Sequence, residues 1–126
     1  MSRPSEEAGA HLATTQRVAG WLRPAWVEVD LGAVEENVAR VRDLVGAARV
    51  CAVVKADGYG HGAVRVAGAA LAGGATYLGV ALAEEGHELR EAGIEAPVLV
   101  LSEPSAEAAA LVVEDGLTPT IYTKEG

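Results

Sequence analysis

The hydrophobic and polar positions follow two alternating periods. Behind Asp30, the apolar residues Val34, Val38, Val41 and Val45 recur at spacings of four, three and four. That spacing predicts a helix capped by Asp30 and stopped by Gly46. Glu35 and Glu36 lie toward its positive end and Arg40 and Arg42 further along, the order the helix dipole favours. Just upstream, Trp26-Val27-Glu28-Val29-Asp30 mixes apolar and acidic positions and predicts a short strand with one wet face. Downstream, Val50-Cys51-Ala52-Val53-Val54 is an unbroken apolar run, the signature of a parallel strand buried on both faces. It ends at Lys55.

The loop Ala56 to Gly62 then leads into a small-residue helix from about Ala63 to Leu71, closed by Gly73 and Gly74. The unit recurs as a strand at Tyr77 to Ala81, a helix at Ala83 to Ala92, a strand at Val98 to Leu101, a helix at Ser105 to Glu114, and a strand near Thr118 to Tyr122. Alternation of this kind implies an α/β class with successive right-handed crossovers. An open doubly wound sheet and a closed (β/α) barrel both satisfy it, although a closed barrel typically takes about 250 residues. The 126 residues stop after a strand with no helix to cover it, so the pattern predicts the leading part of a longer protein.

Composition narrows the function classes. Half the residues are hydrophobic, yet aromatics are scarce and Phe is absent, so the apolar volume comes from Val, Leu and Ala. No stretch approaches the roughly 18 apolar residues of a membrane span. With 18 acidic residues against 10 basic ones the net charge is -8, which argues against a nucleic-acid partner. The single cysteine, Cys51, cannot form an internal disulfide; it reads as core filling in a reduced, cytoplasmic protein. Pro4, Glu6, Glu7 and Gly9 interrupt any signal-like apolar core, so residues 1–23 are expected to be a loose or disordered tail ahead of a folded segment over 24–126.

Lys55 is the first candidate for chemistry. It is one of two lysines, with Lys124, and it follows five apolar residues at the carboxyl end of a parallel strand, the edge where α/β folds place ligands. A partly desolvated amine is more readily neutral and nucleophilic, as condensation with a carbonyl requires. Taken alone, a lysine at a strand end is ordinary. The following loop adds weight: Gly58, Gly60 and Gly62 permit tight turning and close approach to a ligand, with Tyr59 and His61 between them. The spacing matches neither a P-loop nor a dinucleotide fingerprint. His61 reads as a loop-anchoring donor, His11 as part of the tail, and His87 as solvated. Glu84, Glu85, Glu88 and Glu91 read as an exposed helix face. No ligand spacing supports a metal site.

Residues and order together are more specific than the glycine spacing. Val53-Val54-Lys55-Ala56-Asp57-Gly58-Tyr59-Gly60-His61-Gly62 resembles the pyridoxal-phosphate attachment motif of bacterial alanine racemases. Ala25 to Leu31 is similar to that family's opening strand. Ala83-Glu84-Glu85-Gly86, Leu89 to Ile94 and Pro97 to Leu101 are similar to its next barrel units. The resemblance runs from about Arg23 to the end. It implies a partial (β/α)8 barrel of the fold type III class, with Val50 to Lys55 as first barrel strand and Trp26 to Asp30 added to a separate β-rich domain.

The resemblance also implies roles. Lys55 would be the lysine that carries pyridoxal 5'-phosphate and the catalytic base on one face of the substrate, Tyr59 would hydrogen-bond the cofactor phosphate, and Leu101 would line the site. The implied reaction interconverts L-alanine and D-alanine, supplying D-alanine for peptidoglycan, in a cytoplasmic homodimer. Racemisation needs a proton removed from one face and returned to the other, and one lysine serves one face only. The resemblance puts the second group, a tyrosine, in the partner subunit's C-terminal domain, which leaves this chain inactive alone. Two alternatives stay open: another pyridoxal-phosphate barrel enzyme, such as a broad amino-acid racemase or a decarboxylase, and a non-catalytic cofactor-binding protein.

Overall fold

The computed structural model describes residues 25–124, so the tail reading for residues 1–23, with His11, lies outside the described residues. Helix α1 spans Leu31–Val45, and its start and end follow from local chemistry. The Asp30 carboxylate accepts the N–H of Ala33 at 3.0 Å, satisfying one of the free donors of the first turn. At the other end Gly46 takes a φ of 61°, which side chains resist and glycine does not. The strand expected at Trp26 to Asp30 is not formed among the described residues. Trp26 and Val27 lie exposed there, and a strand exists only by pairing with another backbone.

Four parallel strands follow: β1 (Cys51–Val53), β2 (Tyr77–Val80), β3 (Val98–Val100) and β4 (Thr118–Pro119). They lie side by side in chain order, β1-β2-β3-β4. Between them come α2, a single turn over Lys55–Tyr59, then α3 (Ala63–Ala72), α4 (Ala83–Glu91), and a 3-10 turn at Ala106–Ala108 that runs into α5 (Ala109–Glu114). The helix expected over Ser105 to Glu114 is thus divided, its first turn tightened in the way helix starts often are. The last strand is shorter than expected, although the N–H of Thr120 still reaches the carbonyl of Val100 at 3.1 Å.

Strand order and burial together decide between the two architectures. A doubly wound sheet reverses its order at a switch point and carries helices on both faces. Here each strand pairs with its successor, and the faces differ. Leu78 of β2 stands beside Ala52 of β1 and Val98 of β3, and this face, with Val80 and Val100, is sealed. Its cover is Ala67 of α3, Ala83 and Leu89 of α4, and Val112 of α5, which share one core with the strands. On the opposite face Val53 and Leu101 are exposed. Helices on one side and an open concave side on the other form an arc of a (β/α) barrel. The run Val50 to Val54 is therefore not buried on both faces: Val54 is, whereas Val53 looks into the open side.

Helix α1 packs against α3 through a point of close approach. A side chain at Gly73 would strike the carbonyl oxygen of Glu35 and come within 2.9 Å of Val38 Cβ. Gly73 therefore sets how near the two helices can lie. None of the described helices is long and apolar enough to cross a membrane.

Candidate functional site

Among the described residues, the carboxyl end of β1 carries the most unusual backbone. The ladder continues one residue past the strand, the N–H of Val54 bonding to the carbonyl of Gly79 at 2.8 Å. The chain then turns left-handed. Ala56, Asp57, Gly58 and Tyr59 have φ values of 50°, 53°, 63° and 57°, and Gly60 follows at 84°. Three of these residues carry side chains, and each costs roughly 1–2 kcal/mol in that conformation. Such strain persists only where the surroundings over-determine it, typically at ligand sites.

The restraints are visible. The Gly58 N–H bonds to the Val54 carbonyl at 2.8 Å, and the Gly62 N–H to the Asp57 carbonyl at 2.9 Å. The Asp57 carboxylate accepts the Ala63 N–H at 2.9 Å, capping α3 from inside the turn. His61 Nδ1 lies 3.0 Å from the Gly58 carbonyl and donates to it in the tautomer protonated there, so His61 is the loop anchor its setting suggested. Gly58 is buried, and a Cβ there would sit 3.2 Å from the Ala63 nitrogen, so glycine is favoured by tight space as well as by φ.

Lys55 opens this turn and is half-buried; its Nζ lies 6.0 Å from the centre of the Tyr59 ring. Tyr59 is 59% exposed. The two expected site residues of the turn are thus brought together, a primary amine and a phenol facing accessible space. Leu101, the third, follows β3 and is 40% exposed on the open face. It shares that face with Cys51 and Val53: all three surround Gly79 of β2, whose missing side chain leaves a shallow floor. Cys51 is half-buried there rather than in the helix-covered core, which corrects the core-filling reading. Burial pushes its thiol up from the ordinary value, against a hydrogen bond with Tyr77 that lowers it, so it is a poor nucleophile. An amine can hold a carbonyl compound covalently, and a phenol one turn away can hydrogen-bond an anionic oxygen.

Two side chains escaped the sequence reading. Glu85 is not part of a solvated face. Its carboxylate accepts the Ala56 N–H at 2.7 Å on one oxygen, and the Ala81 and Leu82 N–H groups at 2.7 and 3.0 Å on the other. Its place in the first turn of α4, three residues after Leu82, is the glutamate half of a capping box and was a partial signal. His87 is likewise partnered, its Nδ1 2.8 Å from the Asp115 carboxylate.

Comparison with known proteins agrees with this geometry. Residues 29–126 match the family described as alanine racemase, N-terminal domain. The alanine racemase of Symbiobacterium thermophilum is 50% identical over 104 residues, and that of Desulfovibrio desulfuricans 47% identical over the same length. In each case the match covers 82% of this chain and 28% of the relative. Among solved structures, alanine racemase from E. faecalis superposes with a TM-score of 0.80 at 44% identity, covering 86% of this chain and 30% of that one. Alanine racemase from Bacillus anthracis, solved with bound L-Ala-P, gives 0.73 at 38% identity, over 75% and 25%. The chain spans little more than a quarter of the length of the curated relatives it matches, and it belongs to the alanine racemase N-terminal domain family.

Proposed function

We propose that this chain is the cofactor-lysine segment of a pyridoxal-phosphate-dependent alanine racemase, an isomerase acting on L- and D-alanine. The observation that carries the reading is Lys55 at the carboxyl end of the first barrel strand, opening a left-handed turn that also presents Tyr59. The residues present fit the cofactor: an amine for its aldehyde, a phenol hydroxyl for its phosphate, and an open apolar face bearing Leu101 beside them. Bound pyridoxal phosphate would supply the electron sink that stabilises the charge left when an α-proton departs.

The chain's own residues would do the rest. Lys55 holds the cofactor and takes or returns the α-proton on one face through Nζ. Tyr59 orients the phosphate end, and Leu101 keeps water from the reacting side. A proton must also reach the opposite face, which Nζ cannot serve, so we assign the second acid–base group to a tyrosine outside the described residues, contributed by the partner of a homodimer. The physiological role we assign is D-alanine supply for the cell wall, in the cytoplasm. We assign residues 24–126 to the barrel segment.

The test is borohydride reduction of the 126-residue chain incubated with pyridoxal phosphate, followed by digestion and mass spectrometry. A pyridoxyl adduct on Lys55 is expected, with no D-alanine formed from L-alanine by this chain alone, since we assign the base for the other face to the partner of a homodimer. Adduct confined to Lys124, or no adduct, overturns the assignment.

A further inference from the structure

Glu85 joins the candidate site to the next barrel unit. One carboxylate oxygen takes the N–H of Ala56, the residue directly after Lys55, and the other takes the N–H groups of Ala81 and Leu82, where β2 gives way to α4. Ala56 and Glu85 are 29 residues apart in sequence. Three backbone donors converge on the two oxygens of one carboxylate, a group able to accept on both. The start of α4 favours that negative charge.

We infer that Glu85 is a positioning residue for Lys55. The peptide plane between Lys55 and Ala56 sets the direction in which the Lys55 side chain leaves the backbone. That plane is the entry to the left-handed turn, where Ala56 and Asp57 adopt positive φ against their preference. Without an external acceptor for the Ala56 N–H, the entry is free to relax and the amine swings with it. The Glu85 bridge fixes that plane to the carboxyl end of β2, and so fixes Nζ relative to the neighbouring strand. Glu84, one residue earlier on α4 and exposed, makes no such bridge and serves as the internal control. The inference deepens the proposed function and rests on the reading of Lys55 as the cofactor lysine.

The experiment compares the 126-residue chain with its E85Q and E84Q variants by two readouts. The first is competitive acetylation of Lys55 with acetic anhydride, normalised to Lys124 in the same molecules, which needs no cofactor. The second is the dissociation constant for pyridoxal phosphate. Glutamine can satisfy one side of the bridge and opposes a donor on the other. In E85Q, Lys55 acetylation should rise several-fold and cofactor retention fall by about tenfold, the scale of one charge-assisted hydrogen bond. E84Q should match the parent in both. A folded E85Q with parental acetylation and retention overturns the inference, because a carboxylate that only caps α4 would shift the unfolding midpoint alone. Should E85Q not fold, amide exchange in the parent decides: the Ala56 N–H exchanges at least about tenfold more slowly than an unstructured amide if the bridge holds, and freely if it does not. If the parent binds no pyridoxal phosphate, the reading of Lys55 as the cofactor lysine fails, while the acetylation comparison still decides the role of Glu85.

Discussion

The Asp57 carboxylate reaches forward to the N–H of Ala63 at 2.9 Å, so a residue inside the strained turn is also the side-chain cap of helix α3. Asp57 has a φ of 53°, a conformation that Asp and Asn tolerate better than other side chains. Two demands meet at one position, and their chemistry separates in variants. D57N keeps an acceptor oxygen and the tolerance of positive φ, and should unfold in urea at nearly the parental midpoint. D57A loses both and should be destabilised by ~1–2 kcal/mol. Equal midpoints for D57A and the parent would show that the cap contributes nothing.

The close approach of α1 and α3 gives a prediction of opposite signs for two glycines on one helix-and-cap segment. At Gly73 a methyl group has no room against the Glu35 carbonyl and Val38, so G73A should force the helices apart at a cost of ~1–3 kcal/mol. At Gly68, inside α3, a Cβ meets nothing within 4 Å. G68A should therefore stabilise by ~0.5–1 kcal/mol through the unfolded chain. Urea unfolding of the two variants checks both, and a G73A chain as stable as the parent contradicts the packing argument.

How far these features were legible in the residues depends on the distance between partners. Asp30 and the Ala33 N–H are three positions apart, so the cap of α1 could be read directly, as could its glycine stop at Gly46. Alternation of strands and helices was equally plain, but it fixes no strand order, and hydrophobicity does not tell which face of a strand has a partner. Val53 and Leu101 are as apolar as Val54 and Val100, yet the first pair is exposed and the second buried. The turn after Lys55 was half legible: glycines at 58, 60 and 62 signalled left-handed backbone, whereas Ala56 and Tyr59 adopt it too, Ala56 with its N–H held by the distant Glu85 carboxylate. Glu85 could be set apart from Glu84, Glu88 and Glu91 only as a capping-box position; its bridge to Ala56, 29 positions away, left no mark in the local pattern.

His87 supplies a pH dependence. The hydrogen bond to Asp115 is the largest cause holding its pKa above the ordinary value, aided by the nearby charges of Asp115, Glu91 and Glu114 and opposed by desolvation. Its Nε2 lies 3.6 Å from Glu91, while Arg90 bonds to the Asp115 carbonyl at 2.9 Å. A group whose folded pKa is raised stabilises fully below its unfolded value, about 6.5 for histidine, and loses that contribution as pH climbs through the folded value. Unfolding midpoints should therefore decline as pH rises through and above neutrality, and H87Q should show a smaller decline. Parallel profiles for the two chains would remove His87 as the source.

Ala56 allows stability and site geometry to be separated at one residue. It holds a φ of 50° with a Cβ, at a cost of roughly 1–2 kcal/mol that glycine would not incur. Glycine in turn gives the unfolded chain more freedom, which returns about 0.4–1 kcal/mol of that gain. A56G should therefore be as stable as the parent or up to ~1.6 kcal/mol more stable, the difference of those two quantities. Stability is not what the alanine serves if the turn exists to aim Lys55. Glycine also opens conformations in which the Lys55–Ala56 plane rotates away from Glu85, so borohydride-trapped pyridoxyl adduct on Lys55 should form more slowly in A56G while its urea midpoint holds or rises. Valine at the same position tests the converse: a branched Cβ at positive φ is a genuine outlier, and A56V should lose both stability and adduct formation. A variant series in which adduct rate simply tracked stability would mean that the left-handed turn is scaffold and has no separate part in placing the amine.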